Sequence, residues 1–260
     1  MARLTLRDAL LRGKRRPRRF GAGSPTTYRG DGYEFVELRA YIPGDDVRRI
    51  DWAATARAGE LQTRVVLEDV ALTLALIVDE SASMHVGRRR PLREAAEEAA
   101  DAWFGTARSG DRLVRVGSDY IGPVHVPVTT PFDVGTALRT ARGALRRGSA
   151  LLAIGDWYEL EPNHDDLLAE LGNWCDCTAL VARDPWYDGL PLGGMVRFTG
   201  AEGGTLRAYV GDRERAAFAA AVREREDALI ARFANAGWRT GILHESDGAA
   251  SLRAAFGATQ

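Results

Sequence analysis

Lysine is nearly missing from this chain: Lys14 stands alone, and arginine carries the remaining positive charge. That skew points to genomic base composition, not to a function. Cysteine is also scarce, with two in 260 residues, which excludes a disulfide-built scaffold. No run of about 18 apolar residues occurs, so there is no transmembrane-helix signal. The longest apolar stretch, 70–78, is of strand length and contains Thr73. No apolar segment of signal-peptide type follows the N-terminus, so a cytoplasmic location is expected. An excess of one charge is lacking too: 35 basic against 36 acidic residues leave a net charge of −1. Nothing in that balance points to nucleic acid. What is there is an ordinary globular composition, 45% hydrophobic and 27% charged.

Three segments differ in character. Residues 1–27 are a basic leader and linker, in which Arg3, Arg7, Arg12, Lys14, Arg15, Arg16, Arg18 and Arg19 oppose only Asp8. The plain reading is a solvated tail; the sharper one is attraction to an anionic membrane surface or an acidic partner. Residues 28–69 read as a small β-rich unit. Residues 33–42 are rich in β formers, Pro43-Gly44-Asp45-Asp46 is a turn signal, a short helix is expected over 47–56, and 61–67 reads as a second strand. From about 70 to 260 strands and helices alternate. Strands are expected at 72–78, 112–116, 120–126, 150–154, 177–181 and 240–244, and a hairpin at 194–198 with 205–210. Helices are expected at 91–107, 132–146, 165–174, 212–236 and 251–256. That alternation predicts an α/β fold with an open, mostly parallel sheet flanked by helices. Such sheets bind ligands at the carboxyl ends of their strands, which directs attention to the residues after Val78 and Ile154.

Directly after Val78 comes Asp79-Glu80-Ser81-Ala82-Ser83, a D-x-S-x-S pattern. Two hydroxyls and a carboxylate at this spacing converge on one hard cation, and all-oxygen donors suit Mg²⁺. Directly after Ile154 comes Gly155-Asp156. Were the two strands neighbours, Asp156 would lie beside Asp79, and paired carboxylates repel unless a cation lies between them. The plain alternative is a hydrogen-bonded loop that caps the next helix. Competing chemistries lack their signatures. There is no Walker motif, no G-x-G-x-x-G, no G-x-S-x-G elbow, and Ser81 stands where a haloacid-dehalogenase-type site needs a second aspartate. Cys175 and Cys177 lack the further ligands of a zinc site and read as core.

The D-x-S-x-S segment with Asp156 resembles the metal-ion-dependent adhesion site of von Willebrand factor type A domains. The resemblance implies a Rossmann-like domain binding Mg²⁺ (or Mn²⁺ or Ca²⁺) through Asp79, Ser81, Ser83 and Asp156. That family also draws a threonine from the loop before a central helix. Its spacing falls on Phe132 here, and Thr130 is the nearest substitute. Upstream, Arg29-Gly30-Asp31-Gly32-Tyr33-Glu34-Phe35, then Leu38-Arg39-Ala40-Tyr41-Ile42-Pro43-Gly44-Asp45-Asp46-Val47-Arg48-Arg49-Ile50-Asp51-Trp52, then Ala56-Arg57, resemble the hallmark of the bacterial domain-of-unknown-function 58 family. This resemblance covers about residues 20–260. It implies a non-enzymatic, chaperone-like accessory of a MoxR-type AAA+ ATPase, engaging that ATPase or its client. Glu80, Trp157, Arg39 and Arg48 are the expected partner contacts. Arg39, Arg48, Arg49 and Arg57 are also expected to pair with Glu34, Asp45, Asp46 and Asp51 in a network fixing this segment on the main domain, with Trp52 as a packed anchor. The alternatives are a hydrolase using the same ion, with Glu80 as the nearest base, and a metal-free scaffold.

Overall fold

A computed structural model describes residues 6–7, 33–68, 71–123, 131–201 and 203–257. The chain forms two units, one of residues 10–71 and one of residues 1–9 together with 72–260.

In the smaller unit, strands β1 (Tyr33–Ala40) and β2 (Gln62–Glu68) pair antiparallel, with a bulge between Phe35 and Glu37. The expected helix over 47–56 is broken in two. Asp46 caps a single 3₁₀ turn, Val47–Arg49, by accepting from the Arg48 N–H. The Asp51 N–H then pairs with the Gln62 carbonyl, which ends helical hydrogen bonding. The Asp51 carboxylate starts α1 (Trp52–Ala58) by accepting from the Ala54 N–H at 2.9 Å. Trp52 is not a packed anchor. It occupies the first position of α1 and is 68% exposed. The expected ion-pair network is also rearranged. Arg39 pairs with Asp45 at 2.7 Å, but Asp51 is taken by Arg64 at 2.9 Å, and both pairs lie within this unit.

In the larger unit the strands are β3 (Thr73–Val78), β4 (Arg112–Val116), β5 (Ile121–Gly122), β6 (Ala150–Gly155), β7 (Asp176–Ala182) and β10 (Arg239–Leu243). They form one sheet in the order β10-β7-β6-β3-β4-β5. All pairs are parallel except β4–β5. The strand expected at 120–126 is thus a two-residue antiparallel edge, and residues 124–130 lie outside the described residues. Counting only this sheet's strands in chain order, the arrangement is the doubly wound 3-2-1-4-5-6, whose order reverses between β3 and β6.

Helices cover both faces, which explains why β3 and β6 read as near-continuous apolar runs. Leu74, Ala75, Leu76 and Ile77 are at most 1% exposed. Ala75, Ile77, Leu151 and Ala153 point to one face, into a core with α3 (Val134–Ala144), α4 (Asp165–Trp174) and α5 (Asp212–Asn235). Alternate strand residues point to the other face. There α2 (Leu92–Phe104) and α6 (Gly248–Ala255) pack on each other, and the Trp103 indole N–H donates to the Ala75 carbonyl at 3.1 Å. The remaining strands, β8 (Gly194–Thr199) and β9 (Thr205–Val210), form a separate antiparallel hairpin.

The leader is not wholly a solvated tail. Leu6 and Arg7 are buried, and Arg7 donates to the Thr106 carbonyl and to the Asp111 carboxylate. Asp111 also accepts from the Leu72 N–H at 2.7 Å and the Arg108 N–H at 2.8 Å. Burial pushes the Asp111 carboxyl up, but the Arg7, Leu72 and Arg108 donors outweigh it and hold the group below its ordinary range. Arg7 is therefore unavailable for a membrane surface. Among the described residues no helix is long and apolar enough to cross a membrane.

Candidate functional site

The reversal of strand order places the ends of β3 and β6 side by side. Val78 stands opposite Ile154 in the parallel register, and the Asp79 N–H donates to the Ile154 carbonyl at 2.8 Å. The two strands therefore deliver Asp79 and Asp156 to one place, at the carboxyl edge of the sheet. Both are buried, at 4% and 5% exposure. Gly155 makes the approach possible. A Cβ at that position would stand 2.7 Å from the Asp79 Cβ and 2.9 Å from its Oδ2, closer than real side chains come.

After Asp79 the chain turns at once. The Ser81 N–H donates to Asp79 Oδ1 at 2.9 Å, and the Ser81 and Ser83 hydroxyls are 2.8 Å apart. A 3₁₀ turn follows (Ala82–His85), with Met84 wholly buried beneath it. Helix α2 starts only at Leu92, and neither serine caps it. Asp79 thus lies beside Asp156 and is bound by Ser81, whose hydroxyl pairs with that of Ser83.

The electrostatics show an under-compensated site. Burial first, then the charge of Asp156, push the Asp79 carboxyl up to about 6, against the opposing hydrogen bonds from Ser81; Glu159 adds to the rise. A divalent cation would relieve this. Two carboxylates and two hydroxyls are the all-oxygen donors such an ion takes, so the residues present fit Mg²⁺. Among the described residues no group of three or more His, Cys, Asp or Glu side chains could hold a metal. The candidate set therefore depends on the two serines. Thr130, the expected fifth ligand, lies outside the described residues.

Two expected partner contacts are corrected. Trp157 is 2% exposed and belongs to the core: its indole N–H points to the Leu180 carbonyl at 3.4 Å, and its ring meets Phe233 edge-on at 5.2 Å. To turn inward directly after Asp156, it adopts a left-handed backbone with φ 59°. For a tryptophan that conformation is strained. Glu80 is largely covered, with a side-chain exposure of 10%, and faces Arg93 at 3.7 Å. Arg39 and Arg48 lie in the smaller unit.

The exposed neighbour is Tyr158. Its N–H donates to Asp156 Oδ1 at 3.1 Å, and its hydroxyl lies 3.3 Å from Asp184 Oδ2. Arg225 of α5 covers the Tyr158 ring at 3.5 Å and donates to the Asp156 carbonyl at 2.6 Å. No local pattern announces Arg225, because its partners come from distant strand ends. Gly155 did carry a signal: a glycine closing a core strand often marks a close approach.

An uncharacterized protein of Mycobacterium tuberculosis and one of Mycobacterium bovis are each 40% identical to this chain over 105 residues, covering 39% of it and 32% of theirs. The matched stretch thus spans less than a third of those curated relatives. No solved structure matches the chain. The family model described as "Protein of unknown function DUF58" matches residues 37–130, a segment that takes in Arg39, Arg48, Asp79, Ser81 and Ser83 and stops short of Asp156.

Proposed function

We propose that the larger unit is a von Willebrand factor type A-like protein-interaction module that engages a partner carboxylate through a divalent cation. The observation that carries this reading is the meeting of Asp79 and Asp156, both buried, beside the paired Ser81 and Ser83 hydroxyls at the strand-order reversal. The doubly wound strand order supports the fold assignment. Asp79, Ser81, Ser83 and Asp156 would hold Mg²⁺, or Mn²⁺ or Ca²⁺ in its place. Bound there, the ion supplies a Lewis-acidic position for an anionic ligand. The protein's own residues do the rest. Gly155 admits the second carboxylate, and Tyr158 and Ser81 fix the carboxylate oxygens by backbone N–H donation.

The reading is non-catalytic. Glu80, the base expected from the sequence, is covered and turned to Arg93. The match of residues 37–130 to the DUF58 family motivates the partner: a MoxR-type AAA+ ATPase or its client, served by this protein as a chaperone-like cytoplasmic accessory.

The test is Mn²⁺ binding followed by electron paramagnetic resonance, with Mg²⁺ competition. We compare the full chain with the Ser81→Ala/Ser83→Ala variant. Saturable binding that Mg²⁺ displaces and the variant loses is expected. Equal or absent binding in both proteins refutes the site.

A further inference from the structure

The hairpin β8–β9 presents a face that the metal site does not use. Its cross-strand pairs on that face are Met195 with Tyr209, Arg197 with Arg207, and Thr199 with Thr205. All six residues are exposed, Met195 at 74% and Tyr209 at 66%. The opposite face is half-buried at Val196, Phe198 and Ala208. Two arginines directly opposite each other are an unfavourable pair, since their Cβ atoms lie about 5 Å apart. Neither Arg197 nor Arg207 has an acidic partner among the described residues. The outer face therefore carries two cations, no described anion, and a large apolar pair one row away.

We propose that this face docks an extended, acidic segment of a partner protein. Rows of a strand pair on one face repeat every two residues, about 6.8 Å. A partner strand with an acidic and an apolar side chain two residues apart matches the spacing from the arginine row to the Met195–Tyr209 row. Tyrosine, methionine and arginine are the residues enriched at protein interfaces. Two cations are too few for a duplex-binding footprint, where about six to ten phosphate contacts are usual. They are also too few for stable hold on an anionic membrane, at about 1 kcal/mol per cation. This proposal does not rest on the metal site.

The probe is a fluorescein-labelled peptide of the repeat Glu-Ser-Val-Ser, which sets glutamate and valine two residues apart on one face of an extended strand, titrated by anisotropy against the full chain in EDTA, so that the metal site takes no part. Controls are the same peptide with lysine for glutamate, a single-stranded oligonucleotide, and phosphatidylserine vesicles. The acidic peptide should bind saturably and in preference to all three. Arg197→Glu/Arg207→Glu should weaken it at least about tenfold. Arg197→Glu alone should also weaken it without lowering the Tm, because it converts a repulsive cross-strand pair into an attractive one. Met195→Ser, which keeps both cations, should give a smaller, several-fold loss. Binding that the charge variants leave unchanged, no preference over the lysine peptide, or preference for the oligonucleotide or vesicles overturns the proposal.

Discussion

Replacing Asp79 by asparagine should make this protein more stable, not less, when no divalent cation is present. The side chain keeps its shape and its Oδ1 acceptor for the Ser81 N–H, but loses the charge that burial and Asp156 oppose. The carboxyl is raised from 3.8 to about 6, so the folded state binds the proton more tightly than the unfolded chain does. Stability is then undiminished below the unfolded value, falls as pH rises between the two values, and stays lowered above the folded one. Two pK units correspond to about 3 kcal/mol as an upper bound, and solvent relaxation reduces this to about 1–2 kcal/mol. In EDTA near pH 7.5, Asp79→Asn should therefore raise the Tm by roughly 3–6 °C for a unit of this size. Near pH 4 the two proteins should melt together. Excess Mg²⁺ should raise the Tm of the wild type and not of the variant. The assay is differential scanning fluorimetry across pH, with and without Mg²⁺. A variant that melts below the wild type at pH 7.5 in EDTA, or a Tm difference that ignores pH, refutes the electrostatic account.

Gly155→Ala places a methyl 2.7 Å from the Asp79 Cβ. It should cost about 1–3 kcal/mol in urea unfolding and abolish the Mg²⁺-dependent rise in Tm. Arg7→Ala leaves Asp111, whose side chain is 1% exposed, without its cation. Because the Leu72 and Arg108 N–H donors remain, the loss should be about 2–3 kcal/mol. It should shrink as pH falls through the Asp111 titration, and Arg7→Ala/Asp111→Asn should lose less than the two single changes together, as measured by a double-mutant cycle.

The readable part of this molecule is the part whose physics is local. β3 and β6 announce themselves because helices on both faces require apolar residues at every position, and β8–β9 because Gly203-Gly204 stands between two alternating runs. Asp79 and Asp156 were legible through position alone: each follows a core strand, and the doubly wound order brings two such ends together. What escaped depends on pairings distant in sequence. The Asp51 N–H finds Gln62 across the small unit and splits a helix that composition alone would continue. Trp157 reads as a partner contact, yet Phe233 and the Leu180 carbonyl draw it inward at the expense of a left-handed backbone. Arg7 reads as one charge in a basic run, and only Asp111, buried and far along the chain, explains its burial.

The boundary between β3 and β6 is also a seam in the order of assembly. β3 pairs with β4 through Thr73 and Arg112, and β6 with β7 through Ala150 and Asp176, whereas the β3–β6 register joins Leu74 to Ala150, the widest sequence separation between paired strands of this sheet. Asp79 belongs to one half and Asp156 to the other. A ligand that requires both carboxylates recognises only chains in which this seam has closed, and its binding free energy acts entirely against reopening it. Partner capture at this edge would therefore report that the sheet is complete, coupling availability for docking to a finished fold.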